Sequence, residues 1–318
     1  MLENAHSFQM VAATESNLKW DSMVSRAAPL YGRENDVRSE FGRDYTRILH
    51  STAYRRLKHK TQVFFSPQND HICTRIEHVN HVESVSFSIA NFLGLNTELT
   101  KAIAVGHDLG HAPFGHLGEE IIKKSLRDNG FADFWHEKNG LHFVDNLELL
   151  DDDEGYKTNL NLTYAVRDGI IAHCGEVDQN GIKPRDEFLD FGDYQAANQY
   201  APYTWEGCIV KIADKISYLG RDIEDAITLG ILEKSQISEL MNSLRCVGKF
   251  GKLNIKELNN TALMHEFIIN LCQCSTPEKG ICLSDEYFEL MKQVKDLIIN
   301  ISTDTSDWKH IKSTLQWS

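Results

Sequence analysis

The stretch AVGHDLGHAPFGHLGEE, residues 104–120, concentrates side chains that bind metals or move protons. His107, Asp108, His111 and His116 fall within ten residues of one another, and Glu119 follows three positions later. A lone buried histidine is ordinarily a hydrogen-bonded core residue, but three of them beside an aspartate point to a metal or acid–base centre. The apolar run before the pair (Leu99, Ala102, Ile103, Val105) predicts a buried helix ending near Leu109. Gly110 then stops it, Pro113 keeps the next residues out of helix, and a new helix is expected from about His116. Glycines at 106, 110, 115 and 118 punctuate the stretch.

Other elements must complete such a site. Arg75 to Leu93 reads as the clearest helix, with His78, Val82, Val85, Ile89 and Phe92 on one stripe. His78 therefore faces inward, and His81 lies one turn on as a supporting or merely polar neighbour. Downstream, EGCIVKIADKISYLGRDIEDAITLG carries an apolar stripe through Ile209, Ile212, Ile216 and Ile223 and a polar one through Lys211, Asp214, Tyr218 and Asp222. A polar stripe is ordinarily a solvated face, but the His-Asp pair calls for a further oxygen ligand, and Asp214 supplies it. His78, His107, Asp108 and Asp214 then form a mixed nitrogen and oxygen set from three helices, suited to a divalent Mn, Fe, Co, Ni or Zn ion. Four ligands leave positions open on a six-coordinate ion, as catalysis requires. A closed structural zinc site would more readily use cysteine, which is absent from these motifs.

Upstream, RDYTRILHSTAYRRLKHKTQVFF reads as one helix through Leu57 followed by a short extended segment. Arg55, Arg56, Lys58 and Lys60 make it the most basic part of an acidic chain, either a solvated face or an anion-binding wall. Thr97 is expected to cap the helix leading into the His-Asp pair. Residues 1–35 are expected to be partly loose, residues 131–150 to be helical after an aromatic cluster, and residues 178–204 to form a long loop or lid. LTYAVRDGIIAHCGE reads as a helix stopping at Gly175.

Periodicities near 3.6 dominate and strand-like alternation is scarce, so an all-α fold is expected. The chain has 318 residues, 42% of them hydrophobic and 25% charged, enough for a substantial core. Its net charge of −13 argues against extensive nonspecific DNA binding. No stretch approaches the roughly 20 apolar residues that span a bilayer. The first residues lack a basic start and a long apolar run, so no secretory signal is expected. Seven scattered cysteines then read as free thiols in a reducing cytoplasm.

The order H…HD…D resembles the HD-domain metal-dependent phosphohydrolases. YRRLKHKTQVF, TRIEH, HDLGHAPFGHLGE and KIADKISYLGRDIED together are similar to the dGTPase-like deoxynucleoside triphosphate triphosphohydrolases, over roughly residues 40–230. The resemblance implies an HD-domain helical bundle over residues 41–230, with an N-terminal segment (1–40) and C-terminal packing or oligomerisation helices (231–318). It implies metal ligation by His78, His107, Asp108 and Asp214, with manganese or magnesium favoured for activity. His116 matches the catalytic histidine, Glu119 the acid that orients it, and His111 and His136 match further histidines facing the phosphates. Arg75, Lys215 and Tyr218 match triphosphate-binding residues, and Gln62 and Asp222 match groups that recognise the sugar 3′-hydroxyl. The implied reaction turns a deoxynucleoside triphosphate into deoxynucleoside and inorganic triphosphate, in a cytoplasmic homo-oligomer with no membrane partner and nucleic acid only as an effector. HEKNGLH, where relatives often read His-Asn-x-Gln-Ser-x-Arg, and His81, where they usually have an acid, depart from the pattern. Another HD-type nucleotide phosphatase or phosphodiesterase, or a catalytically weak nucleotide sensor, would share the motif.

Overall fold

A computed structural model describes residues 4–30, 35–62, 73–152, 154–174, 179–228 and 260–303, together with Ser235, Gln236, Ser238, Asn242 and Leu244; at 116–117, 227–228, 260 and 297–303 it describes backbone alone. The chain is all-α, as expected, with helices α1 (Trp20–Met23), α2 (Glu40–His50), α3 (Thr52–Arg56), α4 (Arg75–Leu93), α5 (Thr97–Gly106), α6 (Gly115–Asp128), α7 (His136–His142), α8 (Tyr164–Ala172), α9 (Trp205–Thr228), α10 (Asn260–Cys274) and α11 (Asp285–Thr303). Among the described residues the only sheet is a two-stranded antiparallel pair, Leu150–Asp151 against Lys157–Thr158.

Local chemistry fixes the helix ends. Thr74 and Glu77 form a capping box at the start of α4, and Gly94 ends it in the left-handed region at φ 81°. The cap of α5 is Asn96, one residue before the expected Thr97, with its side-chain oxygen accepting from the amides of Glu98 and Leu99. The basic segment is two helices rather than the expected one. Ser51 is extended there, and its hydroxyl accepts from the Tyr54 amide to start α3. Glu148 reaches the same end, accepting from the amides of Thr52 at 2.6 Å and Ala53 at 2.8 Å.

Helix α5 is the hub: α2, α4, α8 and α9 all pack on it, and Leu99, Ala102, Ile103, Ala104 and Val105 are fully buried. Helix α9 lies against α4, α5, α8, α10 and α11. Residues expected to be loose at the N-terminus join this core, since Phe8, Ala12 and Ala13 are buried and Arg26 bonds Asp44 and the Asn161 carbonyl. Residues 179–204 form a loop with one short 3₁₀ turn, anchored by buried Tyr194 and Tyr203 and by the buried pair of Arg185 with Asp168 of α8. Of the basic segment's extended candidate, Thr61 bridges Thr74, and residues 63–65 lie outside the described residues. Among the described residues, no helix is long and apolar enough to cross a membrane, and Cys73, Cys174, Cys208, Cys272, Cys274 and Cys282 form no disulfide.

Candidate metal centre and active site

Three helices deliver the four expected ligands to one place. His78 sits on the buried face of α4, His107 caps α5 with Asp108 beside it, and Asp214 lies midway along α9. The Asp214 carboxylate is 2.9 Å from His78 Nε2 and 3.8 Å from His107 Nε2. The Asp108 carboxylate is 3.7 Å from His107 Nε2 and 4.0 Å from His78 Nε2.

These residues fit a divalent cation. His107 Nδ1 donates to the Ala104 carbonyl at 2.7 Å, which leaves Nε2 as the lone-pair nitrogen of the neutral ring. That Nε2 is buried and has no hydrogen-bond partner. Buried polar atoms are ordinarily paired, so an imidazole nitrogen left open between two carboxylates marks a place for a cation. Burial opposes ionisation of Asp214, but the His78 hydrogen bond, helped by the neighbouring His107 ring, prevails and holds its pKa down at about 2. Burial opposes ionisation of Asp108 too, and Arg75, then His107, overcome it and hold the carboxyl well below the ordinary range. Both ligands are therefore carboxylates at neutral pH, the form that binds metal.

A polar wall continues from this cluster. Arg75 Nη1 donates to Asp108 at 2.9 Å and Nη2 to the Gln62 carbonyl at 2.7 Å. Gln62 Oε1, Arg75 Nε and Asp222 Oδ1 are all buried without a hydrogen-bond partner. On α9, Asp214, Tyr218 and Asp222 recur every four residues on one face, with Lys215 buried next to Asp214. Burial pushes the Asp222 carboxyl well up; Arg75 opposes this, and Asp225 and Asp214 add to it.

On the other flank the His111 and His136 rings are 4.8 Å apart, and Asp108 groups with both within 4.8 Å. Lys60 Nζ donates to the His111 carbonyl at 2.6 Å, and burial lowers its pKa to about 8. His136 Nδ1 donates to Glu119 at 3.1 Å. Burial disfavours the imidazolium, but Glu137 and Glu119 outweigh it and raise the pKa of His136 to about 9. Glu119, expected beside His116, thus has His136 as its hydrogen-bond partner; the His116 side chain lies outside the described residues. A cavity of about 250 Å³ adjoins this flank, lined by Arg56, Lys60, His111, Pro113, Phe134 and Phe143 among others and by none of the four expected ligands.

Two residues of the site carried no assignment from sequence. His173 ends α8 as His107 ends α5, with Nδ1 donating 2.7 Å to the carbonyl three residues back and its ring 4.9 Å from that of His107. Glu137 is buried beside His136, 3.6 Å from its Nδ1. The signal for His173 was a histidine directly after an apolar helical run, GIIAH matching IAVGH.

The HD domain family model matches residues 75–219. Deoxyguanosinetriphosphate triphosphohydrolase-like proteins are similar to this chain. That of Caldanaerobacter subterraneus subsp. tengcongensis is 43% identical over 68% of this chain and 54% of its own length. That of Desulfatibacillum aliphaticivorans is 37% identical over 83% of this chain and 66% of its own length. That of Clostridium tetani is 38% identical over 66% of this chain and 53% of its own length. The chain thus spans about half to two thirds of the length of these relatives. With its H…HD…D residues gathered at one point and the HD match covering them all, the chain belongs to the HD-domain, deoxyguanosinetriphosphate triphosphohydrolase-like family.

Proposed function

We propose that this protein hydrolyses deoxynucleoside triphosphates to deoxynucleoside and inorganic triphosphate, with a divalent cation held by His78, His107, Asp108 and Asp214. The observation that carries this reading is the meeting of those four side chains beside Arg75, in a wall of buried polar atoms that lack partners within the chain. When bound, the cation supplies Lewis-acid chemistry at a phosphate. Manganese or magnesium is favoured for activity.

The chain's own residues do the rest. Arg75 and Lys215 place fixed positive charge against the phosphates, where charge accumulates during transfer, and Tyr218 binds the same group. His111 and His136 face the phosphates, and His136 keeps its proton through Glu137 and Glu119. His116 donates a proton to the departing 5′-oxygen, a role worth about 10²–10⁴-fold in rate. Gln62 and Asp222 recognise the sugar 3′-hydroxyl, each offering a side-chain oxygen that is otherwise buried and unpaired. We further propose a cytoplasmic homo-oligomer.

The test is incubation of the purified protein with Mn²⁺ or Mg²⁺ and each of the four deoxynucleoside triphosphates, with products read by phosphorus NMR. Inorganic triphosphate is expected. Orthophosphate or pyrophosphate would instead make it another HD-type nucleotide phosphatase, and tight binding without any product would make it a sensor.

A further inference from the structure

The turn after the His-Asp pair is closed by the His111 amide, which donates to the Asp108 carbonyl at 3.1 Å. Its two ends are held differently. Gly110 is pressed against α7, and Asn139 Nδ2 donates to its carbonyl at 2.8 Å. His111 and Ala112 instead border the cavity of about 250 Å³. Protein interiors are ordinarily close-packed, so open space there leaves the His111 end room to shift. A polar contact restrains it: Lys60, which lines the same cavity, donates from Nζ to the His111 carbonyl at 2.6 Å. The His111 ring follows its main chain, because Nδ1 donates to the Ala112 carbonyl at 3.2 Å. An ammonium at Lys60 is costly. Burial disfavours its charge, and Arg75 and Arg56 repel it, against the attraction of Asp108. The backbone of the same segment reaches the other side of the site. The Lys60 carbonyl accepts from the Arg75 amide at 2.9 Å, Thr61 bridges Thr74, and the Gln62 carbonyl accepts from Arg75 Nη2 at 2.7 Å.

We propose that Lys60 is a positioning residue: its ammonium holds the His111 carbonyl and thereby sets where the His111 imidazole stands. This rests on reading His111 as a residue that faces the phosphates of a deoxynucleoside triphosphate. Lys60 acts through the turn and does not itself touch the substrate. A misplacement of about 1 Å beside the reacting centre can cost about 10²-fold in rate, so a single tether matters there. Residues 60–62 fix Arg75 through their main chain and His111 through the lysine side chain. The phosphate-facing guanidinium and imidazole are thus set by one strap.

Lys60→Met removes the donor and keeps the arm, whereas Lys60→Arg keeps a cationic donor. With Mn²⁺ and a deoxynucleoside triphosphate, kcat of Lys60→Met is expected to fall about 10²-fold with KM little changed, and Lys60→Arg to recover most of the loss. In a His111→Gln background, Lys60→Met is expected to cost nothing further, since the lysine acts through that ring. A KM that rises at unchanged kcat would make Lys60 a phosphate ligand, and additive losses would give it a role apart from His111; either overturns the positioning role. A reading independent of activity comes from nitrogen NMR of the histidine-labelled full chain with Mg²⁺, the His111 signal being the one missing in His111→Gln. That signal is expected to move in Lys60→Met and to return in Lys60→Arg; an unmoved signal overturns the positioning role. A wild type that releases no inorganic triphosphate overturns the proposed hydrolysis and leaves this spectrum to decide on Lys60. Should Lys60→Met fail to fold by circular dichroism, Lys60→Gln, with its shorter side chain, carries the same comparison.

Discussion

Asp214 shows best how much one side chain carries. Its carboxylate lies 2.9 Å from His78 Nε2 and 3.8 Å from His107 Nε2, on two other helices, and its pKa is held down at about 2. Asp214→Ala and Asp108→Ala should therefore lose bound metal and turnover together, read by elemental analysis beside a rate. His116→Ala should keep its metal while turnover falls about 10²–10⁴-fold; equal loss of metal would reassign His116 as a ligand. In chelator-treated protein the His136 imidazole should titrate near 9 by proton NMR, above its ordinary 6.5. A raised histidine pKa stabilises the fold fully below 6.5, and that contribution is lost as pH rises through about 9. Glu119→Gln should lower the His136 midpoint, and an unchanged midpoint would remove Glu119 from the explanation. Legibility at this scale followed contiguity. His107 and Asp108 stood out because chemistry-bearing neighbours crowd them within ten residues. His173 did not, because a lone histidine after an apolar run looks the same whether it is a satisfied core residue or one facing a metal.

Elements place these side chains through backbone approaches that tolerate nothing larger than glycine. A Cβ on Gly110 would sit 2.0 Å from the Gly140 amide nitrogen and 2.2 Å from the His136 carbonyl, so the turn after the His-Asp pair is locked against α7. Gly110→Ala should push α7 away, and a shifted His136 resonance together with a lower melting temperature would register it. Helix α8 is tied to the 179–204 loop by the buried Arg185–Asp168 pair. Arg185→Ala leaves Asp168 buried without its cation and should cost about 3–5 kcal/mol in denaturant unfolding; a loss below 1 kcal/mol would show that the loop is held by Tyr194 and Tyr203 alone. Helix identities and the inward face of α4 were readable from period and caps. The break at Ser51 was not, because apolar spacing runs on through it and only the serine hydroxyl and the distant Glu148 carboxylate divide the segment. The same holds for Asn96, whose capping role competes with the adjacent Thr97 in any local reading.

For the whole molecule, the site exists only when α4, α5 and α9 are packed, so metal binding and folding share one equilibrium. A ligand of the native state present at 100 times its Kd adds about 2.7 kcal/mol of stability. Mn²⁺ should accordingly raise the melting temperature of the wild type by several degrees, and Asp214→Ala should show little response. All-α architecture and HD-type organisation were legible because periodicity and the linear order of motifs survive in sequence. The convergence of His78, His107, Asp108 and Asp214 was an inference from that order and depends on helices more than a hundred residues apart, as His78 and Asp214 are. The most direct measurement is anomalous diffraction from a crystal of the Mn²⁺-loaded protein. The expected result is an anomalous peak bonded to His78, His107, Asp108 and Asp214 at once. A peak that omits Asp214, or no peak among these four residues, would contradict it.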